Sequence, residues 1–134
     1  VGHAQHFDLG TRGRIRIEAP GLVSMTLTAL DDKALEASDR ILITACGRCE
    51  NTGMVFQKDR QTVGRQWGHA PVLIEPVTGT VSLSEDQWQG WSLNPNGTRK
   101  QRVSTVTQQG HTQLVMTAAH GTMWYLVERA IAGK

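Results

Sequence analysis

Alternation with a period of two runs through most of this chain and restricts its fold more than any other feature. Arg14-Ile15-Arg16-Ile17-Glu18 and Ser24-Met25-Thr26-Leu27-Thr28-Ala29 send polar and apolar side chains to opposite faces, as a half-buried strand requires. Threonine supplies the β-branched outer face of the second segment. Arg40 to Cys46 is a more continuous apolar run, expected of a central strand covered on both sides. Further strands are expected at 71–75, 78–83, 87–93, 102–107, 112–117 and 123–128. Pro20-Gly21, Asn51-Thr52-Gly53, Asn94-Pro95-Asn96-Gly97, Gln109-Gly110 and His120-Gly121 punctuate them as turns. Only Asp31 to Ala37 has helical character, and it reads as an extended hairpin loop with one helical turn. Short strands with frequent turns predict an all-β fold. The expectation is a two-sheet antiparallel β-sandwich, jelly-roll-like, with residues 1–134 as a single domain. The first six residues, with His3 and His6, read as a frayed end.

Charge narrows the choice of partner. Fourteen basic residues stand against 12 acidic ones, for a net charge of +2. That balance speaks against nucleic acid and against an anionic membrane, both of which call for a basic stripe. The densest basic stretch, Arg99, Lys100 and Arg102, reads as a solvated turn. No apolar run approaches the roughly 20 residues of a membrane helix. No signal peptide stands at Val1, so a secreted protein would carry its signal outside this segment.

Four tryptophans, against one tyrosine and two phenylalanines, are the most informative side chains. An indole offers a broad apolar plane with a negative face, and its edge carries an N–H. Such a plane complements the C–H face of a sugar ring. Trp124, in Met123-Trp124-Tyr125-Leu126-Val127, lies in a segment apolar on both faces and is expected in the core. Trp88 and Trp91 have polar neighbours, Gln87, Gln89 and Ser92, and at least one is expected on a binding surface. Three residues apart, they would face opposite sides of a regular strand, and Gly90 is a candidate bulge that would bring them together. Trp67, between Gln66 and Gly68, is expected on a loop.

Other chemistry finds little support. Cys46 and Cys49 form a Cys-X-X-Cys pair without the second pair of a zinc ribbon or the βαβ unit of a thioredoxin-like site. They read as structural thiols or one local disulfide. Glu50, Glu75, Glu85 and Asp86 are the nearest carboxylates to a glycosidase pair, and nothing in their spacing brings two together. No phosphate loop, nucleophile elbow or calcium loop is present. No catalytic residue, cofactor or metal ion is therefore expected.

Arg40 to Ala45 followed by Glu50-Asn51-Thr52-Gly53-Met54, the segment 62–75, Leu27 to Asp31 and Thr122 to Leu126 together carry a resemblance. Across roughly residues 22–128 the chain resembles a β-sandwich domain found beside the catalytic barrel of bacterial polysaccharide-degrading glycoside hydrolases. Among such domains it is similar to β-glucan-binding carbohydrate-binding modules, family 81 in particular. The family pattern seldom has cysteine at 46 and 49 and lacks a Trp-X-X-Trp at 88–91. The resemblance implies a secreted, non-catalytic module attached to a glycoside hydrolase. It would bind cello-oligosaccharides, mixed-linkage glucan or xyloglucan. Stacking is expected from Trp88, Trp91 and Trp67, with Gln87, Gln89, Arg65 and Glu50 as hydroxyl partners. The alternative is an accessory β-domain that packs against the barrel and binds no sugar.

Overall fold

The structure, a computed structural model, describes residues 6–58, 60–85 and 87–130. His3 and the other residues before His6 lie outside that range, as does Asp86. Ten strands build two antiparallel sheets and two more form a separate ribbon. The first sheet holds β1 (His6–Asp8), β2 (Gly13–Ala19), β7 (Thr78–Ser84), β11 (His111–Met116) and β10 (Thr105–Gln108), in that spatial order. The second holds β3 (Ser24–Ala29), β4 (Arg40–Cys46), β12 (Trp124–Arg129), β8 (Trp88–Leu93) and β9 (Arg99–Val103). The ribbon pairs β5 (Cys49–Thr52) with β6 (His69–Ile74). This is the expected β-sandwich.

Period-two alternation decides which side chains meet between the sheets. Ile15, Ile17, Val81, Leu83, Leu114 and Met116 come from the first sheet, and Ile41, Ile43, Ala45, Val103, Tyr125 and Val127 from the second. Each fully buried aliphatic side chain contributes about 1.5–3 kcal/mol relative to exposure. Gly90 leaves room for the facing sheet: a Cβ there would lie 2.0 Å from Leu114 Cδ1.

Several local expectations need correction. Trp88 is a core residue, only 3% exposed. Two guanidinium groups lie over its ring, that of Arg12 at 5.4 Å and that of Arg129 at 5.3 Å. Its Nε1–H donates to Ser84 O at 3.1 Å. Arg12 is itself buried and donates to the carbonyls of Leu35, Glu36 and Ser38, which ties down the short 3-10 turn Leu35–Ala37. Trp124 is half-buried rather than in the core: parity turns Tyr125 and Val127 inward and Trp124 outward. The basic stretch at 99–102 is not a turn but edge strand β9, where charged side chains block pairing with another chain. His6 belongs to edge strand β1.

Candidate functional site

The ribbon is the most unusual part of the molecule. Every residue of β6 is exposed, and Val72, Leu73 and Ile74 retain 57%, 55% and 43% of their accessible surface. In register, Cys49 pairs with Ile74, Glu50 with Leu73 and Asn51 with Val72. Because successive β6 side chains alternate, Val72 and Ile74 share one face and Leu73 takes the other. The pairing continues beyond the strands through Val55 N–H donating to Gln66 O at 3.0 Å and a Phe56–Val63 bridge. Arg60 covers the Phe56 ring at 4.7 Å. The result is an arm that projects apolar side chains into solvent from both faces, with Val55 and Trp67 further along it.

Trp67 is 60% exposed. Asn51 Nδ2 donates to its carbonyl at 2.9 Å, which holds the loop against β5. Gly68 permits this closeness: its φ is +71°, and a Cβ would lie 2.3 Å from Thr52 O. The root of the arm is fastened to the sandwich by Glu75. Gly47 N–H donates to its carbonyl and its own N–H donates to Arg48 O, each at 2.8 Å. Its carboxylate pairs with the Arg48 guanidinium at 3.1 Å. Arg48 holds the Glu75 carboxyl below the usual carboxylate range, by side-chain and then backbone hydrogen bonding.

Beside this root lies a largely apolar groove of about 350 Å³, bounded by Ile74, Pro76, Pro95, Thr122, Met123 and Trp124. Ile74 belongs to both arm and groove, so the two form one continuous apolar surface.

The expected site residues do not converge. Glu50, Arg65 and Trp67 belong to the arm, and Glu50 is engaged by Arg60 at 2.7 Å. Gln89 and Trp91 lie on the outer face of the second sheet, opposite Glu128 and Leu126. Trp91 is half-buried, with Arg99 at 4.8 Å and Arg102 at 5.9 Å over its ring, so cations occupy the plane on which a sugar would stack. Trp88 has no free face. Gln87 precedes β8 with a positive φ, and its carbonyl accepts from Ala130 N–H at 2.6 Å.

Glu50 and Glu75 border one shallow depression of about 240 Å³ together with Arg48, a juxtaposition that their separation in sequence did not suggest. Each carboxylate is ion-paired, and the lowered pKa of Glu75 is opposite to what a glycosidic proton donor needs. Cys46 and Cys49 are free thiols. Burial, and then the neighbouring Cys49, raises the Cys46 pKa. Among the described residues, no group of three or more His, Cys, Asp or Glu side chains could hold a metal ion. No helix among them is long and apolar enough to cross a membrane.

No protein-family model matches the chain, and neither a curated protein nor a solved structure matches it.

Proposed function

We propose that this chain is a non-catalytic accessory β-sandwich that docks against the catalytic domain of a secreted polysaccharide-degrading glycoside hydrolase, in the same polypeptide. The resemblance described above suggests the partner. The apolar arm, continuous with the Trp124 groove, is the observation that carries the docking reading. Aliphatic side chains exposed on both faces of a two-stranded ribbon suit burial against another protein surface. Isolated two-stranded ribbons are only marginally stable in water, so a docked partner also gives this one a reason to persist.

The test is Val72→Asp/Ile74→Asp. In the isolated domain these exposed positions should leave the melting temperature unchanged. In the polypeptide that includes the catalytic domain, the same changes should lower the melting temperature and expose the junction to protease. Unchanged behaviour in the larger protein would refute docking through the arm.

Direct β-glucan binding is the second reading, favoured by the exposure of Trp67 near Arg65. Affinity gel electrophoresis on cellulose derivatives, mixed-linkage glucan and xyloglucan separates the two roles. Retardation that disappears in Trp67→Ala supports sugar binding, and unretarded migration on all three opposes it.

A further inference from the structure

A second surface stands apart from the arm. The outer face of the first sheet is concave and encloses a groove of about 570 Å³. Strand parity, which turns Ile15, Ile17, Val81 and Leu83 into the core, turns Arg14, Arg16, Thr80 and Ser82 outward. Register then aligns them in rows. Asp8 lies opposite Arg14, Arg14 opposite Ser82, and Ser82 opposite Gln113. Arg16 lies opposite Thr80 in the next row. Neighbouring side chains along a row are about 5 Å apart at Cβ, and those two apart along a strand about 7 Å.

Arg14 and Arg16 differ from most arginines of this molecule. Arg40, Arg48, Arg60, Arg99 and Arg129 each meet a carboxylate, and Arg12 is engaged by three backbone carbonyls. Among the described residues, Arg14 and Arg16 have no ion-pair or hydrogen-bond partner. Asp8, the nearest candidate by register, turns its Oδ1 to Gly10 N–H at 2.9 Å and forms no ion pair with Arg14. Two uncommitted guanidinium groups therefore share a groove with hydroxyl and amide side chains that are equally uncommitted.

The geometry points to a binding site for an acidic oligosaccharide, one whose rings carry carboxylates. Guanidinium groups pair with carboxylates in a planar, two-pronged manner. Thr80, Ser82 and Gln113 supply donors and acceptors suited to ring hydroxyls. An acidic peptide fits less well. The groove lies on a sheet face rather than at an edge, so it offers no unpaired backbone for strand addition, and its polar rows offer no apolar anchor pocket. This inference does not depend on docking through the arm.

The experiment is calorimetric titration of the full chain with tetragalacturonate, cellotetraose and a short polyglutamate, repeated on Arg14→Gln/Arg16→Gln and on the charge-matched control Lys33→Gln/Lys58→Gln. Tetragalacturonate should bind, and its affinity should fall as salt rises from 50 to 500 mM. The Arg14→Gln/Arg16→Gln variant should lose about tenfold or more, with the control unaffected. Ser82→Ala and Gln113→Ala should each weaken binding by a smaller factor. The proposal is overturned if tetragalacturonate fails to bind at about 10 mM, a Kd weaker than any specific site would give. Equal binding of polyglutamate, equal binding of cellotetraose, or an equal loss in the control variant would overturn it as well. Circular dichroism of each variant excludes misfolding, which neither the exposed positions 14, 16, 33 and 58 nor the half-buried Ser82 and Gln113 should cause.

Discussion

Trp88→Ala should be among the most destabilising single changes in this domain. The side chain is 3% exposed and packs within the inter-sheet core. Truncating a buried tryptophan to alanine costs about 3–5 kcal/mol through lost transfer energy and the cavity left behind. Two further losses place this site at the upper end of that range. The indole N–H no longer satisfies Ser84 O, and two guanidinium groups lose the ring they lie over. Arg12 suffers most, because it is buried and keeps only its carbonyl partners. A loss of about 5 kcal/mol is a third or more of a typical domain stability of 5–15 kcal/mol. Urea unfolding followed by far-ultraviolet circular dichroism measures it, read as a shift in midpoint at constant slope. Trp67→Ala is the internal control: at 60% exposure it should change stability by no more than about 0.5 kcal/mol. A Trp88→Ala loss below about 1 kcal/mol would refute the core placement, as would a larger loss from Trp67→Ala.

Three other predictions concern buried or reactive groups. Among the described residues Tyr125 Oη is buried without a hydrogen-bond partner and burial pushes its pKa up to about 12, so Tyr125→Phe should melt at the same temperature or higher; a clear drop would reveal a partner for the hydroxyl. Burial, and then Lys100, lowers the His120 pKa, so the folded state favours the neutral ring whose Nδ1 accepts Thr117 N–H at 3.1 Å. Its contribution is complete above the unfolded value near 6.5 and is lost as pH falls through the folded value, so stability should decline below about pH 6.5. In His120→Gln that portion of the decline should vanish, and an unchanged pH profile would contradict the assignment. Iodoacetamide at about pH 8 should modify exposed Cys49 before half-buried Cys46, whose thiol is held protonated; mapping by mass spectrometry would expose the reverse order.

Strand parity carried much of the fold into the sequence. Arg14 to Glu18 and Ser24 to Ala29 alternate as written, and Leu114 and Met116 face inward as their parity requires. Polarity of neighbours was a poorer guide to tryptophan placement. Ser92 is small enough to be buried with its hydroxyl directed at Gln101 O, and Gln89 points outward, so a polar segment could still bury Trp88. Trp124 misled in the opposite way: on the outer face of β12 Leu126 is buried, but Trp124, at the start of the strand, is only half-buried. Arg12 illustrates what a one-dimensional reading misses. Its burial depends on three carbonyls of a loop more than 20 residues away. The arm was only half legible: Asn51-Thr52-Gly53 marked a turn, but the separation of β5 and β6 from both sheets is a tertiary property. The Arg14 and Arg16 groove was visible as alternation, while the lack of partners for both arginines required the fold.

Amide hydrogen exchange along His69–Ile74 tests the central claim most directly. It should be measured in this domain alone and in a polypeptide that also carries the catalytic domain proposed above as its partner. In the domain alone, β6 pairs with β5 and with no other strand among the described residues, so it should exchange quickly, at the low-stability end of the molecule. Docking predicts that protection of Val72, Leu73 and Ile74 rises by about tenfold or more in the larger protein, while β4 and β12 change little. Equal exchange of the arm in both proteins would contradict the account.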